Sequence, residues 1–177
     1  MNADPARLRG QIVVLAVLSG VLVAAIAIPT TTHTPRLVYN ASGSAPIGFY
    51  RVENRPPSRG DIAVVRPSQT LETMLVTRGL LPPGIPLLKR VAAIGGDQVC
   101  RSGGVVSVND ETAAEVLERD LQGRPLPFWE GCLRLFDGQF FLIQPHPYSF
   151  DSRYFGPVSE CDVVGIAQPL WTWNPAE

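Results

Sequence analysis

Seventeen prolines and sixteen glycines punctuate 177 residues, and their spacing rules out a helical bundle. A helix interior tolerates proline poorly because the ring removes an N–H and clashes with the preceding turn. What remains between the breaks is short, apolar and often β-branched, which suits strands joined by turns. Arg36–Asn40, Ile47–Val52, Asp61–Val65, Leu87–Ile94, Val105–Asp110, Gln139–Gln144 and Val163–Ala167 read as strands, the last running into Pro169–Trp173. Residues 68–81 are expected to form a short helix. Thr112–Leu121 reads as a second one, with Glu111, Glu115 and Glu118 on its polar side. The fold class expected is mainly β and antiparallel.

One segment escapes this pattern. Ile12–Ile28 runs 17 residues without a charge, broken only by Ser19 and Gly20. As a helix it reaches roughly 26 Å, just under a hydrocarbon core of about 30 Å. Arg7 and Arg9 precede it and no lysine or arginine follows until Arg36, so residues 1–10 are expected in the cytoplasm and the rest outside. The division expected is 1–10 cytoplasmic, 11–29 one N-terminal transmembrane helix, and 30–177 an exported domain. A cleaved signal peptide competes with this reading, because Ala25-Ile26-Ala27 has a small-x-small pattern. The apolar run is longer than a signal peptide needs, which favours an anchor in membrane lipid.

Export suits the cysteines. Cys100, Cys132 and Cys161 fall where disulfides persist, and three cannot all pair within one chain. Cys100–Cys132 is the pairing expected, with Cys161 left over, although spacing alone does not fix connectivity. No CxxC occurs and the two histidines, His33 and His146, sit apart in turn-like surroundings, so no metal site is expected. A net charge of −1 with scattered arginines excludes the basic stripe of a nucleic-acid surface.

Among 15 basic side chains one is a lysine, Lys89, and it lies in the apolar run Ile85-Pro86-Leu87-Leu88-Lys89-Arg90-Val91. Arginine keeps its proton in a protein, whereas a desolvated lysine can give it up and serve as a base. The plain alternative is an ammonium that snorkels to water. A base needs a group to activate. Ser44 lies in Ser42-Gly43-Ser44-Ala45-Pro46, where small neighbours leave room for a substrate backbone. Alone, such a cluster reads as a loop.

Three segments in order carry more: Ser42–Pro46, then Leu88-Lys89-Arg90-Val91-Ala92-Ala93-Ile94-Gly95-Gly96-Asp97, then Ser149-Phe150-Asp151-Ser152-Arg153-Tyr154-Phe155-Gly156. Together with the N-terminal anchor they resemble the type I leader peptidase family, the serine–lysine signal peptidases. The match departs from ordinary members in two places. The nucleophile turn is one residue shorter before its proline, and Gln144-Pro145-His146-Pro147-Tyr148 stands where a Gly-Asp-Asn start is usual. These departures, with Gly123–Pro127, Trp129 and Gly131-Cys132, look like the TraF branch, the conjugative-transfer peptidases.

That resemblance implies a signal-peptidase-like β domain on the periplasmic side of a bacterial inner membrane, acting on a precursor polypeptide, pilin-like or a secretory preprotein, with no cofactor. It implies Ser44 as nucleophile, Lys89 as general base and Ser42 as an oxyanion-hole donor beside the Ser44 N–H. It also implies Ser149 orienting the amine, and Asp151 and Arg153 as a supporting ion pair. For the last two, a turn with a surface salt bridge is the bland alternative. A cytoplasmic serine–lysine autoprotease switch is disfavoured by the anchor, and a non-catalytic membrane-tethered β scaffold would leave Ser44 and Lys89 incidental.

Overall fold

The structure, a computed structural model, describes residues 36–173. The segment 11–29, the link 30–35 and His33 lie outside that range. Among the described residues no helix is long and apolar enough to cross a membrane.

The architecture is antiparallel β throughout. β1 (Leu37–Asn40), β2 (Ile47–Glu53), β3 (Ile62–Val65), β4 (Leu87–Ala93), β9 (Gln139–Leu142), β10 (Val158–Ser159) and β11 (Val163–Trp173) form a seven-stranded sheet in the order β1-β2-β11-β3-β4-β9-β10. β5 (Gln98–Ser102), β6 (Val105–Val108), β7 (Glu111–Glu115) and β8 (Gly131–Arg134) form a second sheet in the order β7-β6-β5-β8. Among the described residues two α-helices interrupt the strands: α1 (Gln69–Thr77), capped by the Ser68 side chain, and the single turn α2 (Ser152–Phe155), capped by Asp151.

β11 sits between β2 and β3 and pairs with both, and its register shifts between Pro169 and Trp171. Proline has no N–H for a ladder bond, so the strand steps out of phase there. On the β2 side the chains approach closely at Gly48, where a Cβ would lie 2.1 Å from the Trp171 carbonyl oxygen. Gly48 falls within the expected strand Ile47–Val52. The structure places it inside β2, with φ +142°, where only a residue without a Cβ fits.

Three apolar clusters fix the layers. Leu71 and Leu75 of α1 pack with Ala63, Val65, Leu87, Val91, Leu142, Phe150 and Tyr154. Val99, Val106 and Val108 of the small sheet pack with Ala93 and Phe141 of the large one and with Ile143 just past β9. Tyr50, Val64, Leu88 and Ala167 form the third. Residues on both faces of β4 are thus buried, which is why its sequence reads as a continuous apolar run rather than an alternating one.

One expected element is corrected. Thr112–Leu121 is not a helix: residues 111–115 form β7, paired with β6, and no helix follows. Asn109 and Asp110 have φ of 50° and 69°, the two-residue primed turn that suits the twist of a hairpin. That turn sends the chain straight back along β6. The spacing of Glu111, Glu115 and Glu118 mimics a helical face but is set by a strand and the loop beyond it.

Candidate active site

The turn between β1 and β2 is organised by Asn40, a residue the sequence reading passed over. Asn40 is buried at 6% exposure. Its Oδ1 accepts from the Ser42 N–H at 3.1 Å and the Ser42 hydroxyl at 2.8 Å. Its Nδ2 donates to the carbonyls of Ser42, Ala45 and Pro46, each at 3.0 Å. The hydroxyl of Tyr50, itself fully buried, donates to the Pro46 carbonyl at 2.6 Å. The Ser44 turn is therefore tied at four backbone positions by two side chains. The signal in sequence is an Asn closing a strand just before a Ser/Gly/Pro cluster, since Asn side chains bond the backbone two residues on.

Within that turn Ser42 Oγ and Ser44 Oγ lie 3.2 Å apart. A hydroxyl has one proton. Ser42 gives its own to Asn40 Oδ1, so toward Ser44 it is the acceptor.

Lys89 lies at the middle of β4, paired with Ala63 of β3, and is 5% exposed. It does not snorkel. Its Nζ donates to Ser149 Oγ at 2.7 Å in a buried contact. Desolvation lowers the amine from its usual 10.5 to about 8, with Asp151 opposing that shift and Arg153 adding to it. Around a tenth of such an amine is neutral near pH 7, against well under one part in a thousand for an ordinary lysine.

Behind Ser149 stands a buried ion pair. Asp151 and Arg153 are 0% and 2% exposed, so the surface-turn alternative is excluded. Arg153 Nε and Nη2 each meet an Asp151 carboxylate oxygen at 2.8 Å. The same guanidinium donates to the carbonyls of Gln144 and His146 at 3.1 Å and of Ser149 at 3.4 Å. Asp151 also accepts from the Gln144 N–H at 3.0 Å, and the Ser152 hydroxyl accepts from the Leu142 N–H at 3.0 Å. Gln144 Nε2 reaches the Leu88 carbonyl at 3.3 Å. A buried pair is tolerated when its remaining donors and acceptors are satisfied, and among the described residues every buried side-chain N and O has a partner.

The predicted residues thus fall into two hydrogen-bonded groups. One comprises Ser42 and Ser44 with Asn40, the other Lys89, Ser149, Asp151 and Arg153 with Gln144. Among the described residues no hydrogen bond links Ser44 to Lys89. Cys100 and Cys132 face each other in register across β5 and β8 and form a disulfide, with Cα atoms 4.0 Å apart. Cys161 is a free, exposed thiol.

The Ser44 hydroxyl is half-exposed in a turn pinned by side chains, and the Lys89 amine is desolvated. The sequence pattern of the family described as "Signal peptidase, peptidase S26" matches residues 9–173. The chain belongs to that family and is a serine peptidase. A probable conjugal transfer protein TraF of Sinorhizobium fredii is 35% identical over 148 residues, 77% of each chain. A conjugal transfer protein TraF of Agrobacterium fabrum is 34% identical over 77% of this chain and 82% of its own. A plasmid transfer protein TraF of Escherichia coli is 30% identical over 76% and 82%. A solved signal peptidase I from Enterococcus faecalis aligns with 63% of this chain and 97% of its own, at 20% identity and a TM-score of 0.38.

Proposed function

We propose that the chain is a membrane-anchored endopeptidase in which Ser44 attacks and Lys89 is the base, and that its substrate is a conjugative pilin precursor cut on the periplasmic side of the inner membrane. The burial of the Lys89 amine on Ser149 carries this reading, because desolvation raises the share of neutral amine near physiological pH. The TraF names of the relatives support the conjugative substrate.

Substrate binding has to bring Ser44 Oγ within hydrogen-bond reach of Lys89 Nζ. The amine then takes the hydroxyl proton as Ser44 Oγ bonds to the scissile carbonyl carbon. The resulting oxyanion is held by the Ser44 N–H and the Ser42 hydroxyl, whose proton turns from Asn40 to the substrate. Loss of one such donor typically costs about 10²–10³ in rate. Collapse of the intermediate breaks the C–N bond, and the protonated amine of Lys89 gives its proton to the leaving nitrogen. Water, deprotonated by Lys89, or an incoming amine then releases the acyl group from Ser44.

Residues 11–29 are the anchor and 30–177 the peptidase domain in this reading. One surface supports a membrane-facing orientation. Tyr39, Phe49 and Trp171 are register partners across β1, β2 and β11, and all three are exposed, as are Leu37 and Trp173. Exposed Trp and Tyr favour the membrane interface.

The test uses the purified full-length chain in detergent with two substrates, a pilin precursor peptide and a generic preprotein peptide with an Ala-x-Ala site. Cleavage of the pilin peptide, lost in Ser44→Ala and Lys89→Met, is expected. Preference for the generic peptide would make it a general signal peptidase. Cleavage of neither, or cleavage surviving Ser44→Ala, would overturn the dyad.

A further inference from the structure

The turn α2 ends in a carbonyl that its own chain cannot satisfy. A helix leaves its last carbonyls without intrahelical donors. For Arg153 the donor four residues on would be Pro157, which has no N–H. Two side chains from outside the segment fill the gap. Arg101 Nη1 donates to the Arg153 carbonyl at 3.0 Å, and Trp129 Nε1 donates to it at 2.9 Å. They come from 52 and 24 residues away.

Both are held for that task. Arg101, on β5, is 6% exposed and lies over the Phe128 ring at 4.8 Å and the Trp129 ring at 5.9 Å. Among the described residues it has no carboxylate within ion-pair distance; its other acceptor is the Pro127 carbonyl at 3.3 Å. Burying a guanidinium on neutral acceptors costs free energy, so stability alone gives no reason to place one there. Trp129 packs edge-on against Phe141 at 6.2 Å, which leaves its N–H pointing at α2. The Cys100–Cys132 disulfide closes the chain immediately before Arg101 and three residues beyond Trp129, so it joins the two donors' backbones.

We propose that Arg101 and Trp129 are positioning residues for the Lys89 amine: they hold the Arg153 carbonyl, and the Arg153 guanidinium in turn holds the Ser149 segment on which the amine rests. The inference depends on the reading of Lys89 as the base only for its effect on rate. It concerns residues outside the three sequence boxes, on the small sheet and the loop leading into β8. When the carbonyl loses its donors, the turn bearing Ser149 loosens and water reaches the amine. The charged groups acting on Lys89 are Asp151 and Arg153, both on or beside α2. Its partner on β3 is Ala63, and Gln144 lies two residues past β9; neither titrates. Movement of α2 is therefore what can alter its proton affinity.

Trp129→Phe removes the N–H and keeps a ring against Phe141; Arg101→Gln removes the cation. Because Lys89 is the one lysine in the chain, selectively labelled lysine gives one side-chain NMR resonance to titrate in the full-length protein in micelles. In both variants that resonance is expected to titrate at higher pH than in the wild type, with the acid limb of kcat/KM moving up alongside it. Near pH 7 the double variant should lose about tenfold in kcat with KM unchanged, and recover as the pH rises. A lysine resonance that titrates as in the wild type, with only the melting temperature lowered, would overturn the proposal and leave a structural brace. A resonance that moves while wild-type activity shows no limb tied to it would uphold the positioning and sink the base assignment instead.

Discussion

Asp151 and Arg153 stand two residues apart, meet through two 2.8 Å contacts, and are both withdrawn from solvent. The arginine spends its remaining donors on four backbone carbonyls, those of Glu115, Gln144, His146 and Ser149. One guanidinium therefore ties α2 to β7, to the end of β9 and to the support of Lys89.

Asp151→Asn should destabilise the fold by about 3–5 kcal/mol, because it strands a buried guanidinium without its counter-charge. Arg153→Lys should be nearly as damaging, since an ammonium cannot reproduce the fork that serves both the carboxylate and the carbonyls. Denaturant melts of each variant check this. A loss below about 1 kcal/mol, the range of exposed pairs, would contradict it.

Stability should rise with pH between about 8 and 10.5. Lys89 has its folded value lowered to about 8 from 10.5, so in that window the unfolded chain binds more protons than the folded one. Stability then climbs with pH. Below about 8 both states are protonated and the full penalty applies; above 10.5 both are neutral and it is gone. Lys89→Met should thus be more stable than the wild type at neutral pH, by on the order of 3 kcal/mol, and the gap should close through that window. Melts at pH values spanning it decide the matter; a constant gap would count against a buried, perturbed amine.

Asn40→Ala should reduce turnover far more than Tyr50→Phe. Alanine leaves the Ser42 and Ala45 carbonyls, the Ser42 N–H and the Ser42 hydroxyl without Asn40, while the Pro46 carbonyl keeps the Tyr50 hydroxyl, at about 2–3 kcal/mol or more. Phenylalanine removes one donor from the Pro46 carbonyl, which keeps Asn40 Nδ2, so about 1 kcal/mol is expected. Peptide cleavage and thermal melts of the two variants, side by side, give the comparison.

Gly48→Ala should cost about 3 kcal/mol or more, because the methyl group would sit 2.1 Å from the Trp171 carbonyl oxygen and force β2 away from β11. Amide exchange should show loss of protection centred on β2 and β11 rather than on the small sheet.

The sheet strands up to β4 were legible because each is an apolar run closed by Gly, Pro or Asn, as at Gly60, Pro67 and Pro86. β8 and β10 were not: Gly131–Arg134 and Val158–Ser159 carry no pattern of their own and exist through pairing with β5 and β9. Thr112–Leu121 misled because acidic spacing suggested a helix while the Asn109-Asp110 turn had already fixed a hairpin. At the site, Ser44, Lys89 and the Ser149–Arg153 box stand out as sequence motifs. Arg101 does not, because its contact with Arg153 is made 52 residues away and leaves no local trace.

β11 lies inside the large sheet, between β2 and β3, and is synthesised after every other strand in it. Until Val163–Trp173 leaves the ribosome, β1-β2 and β3-β4-β9-β10 have bare inner edges, and Tyr50, Val64 and Leu88 lack the Ala167 that completes their cluster. A chain stalled or clipped before that strand keeps every residue of the three sequence boxes and has no closed sheet to hold them. Closure of the large sheet thus waits on the strand made last.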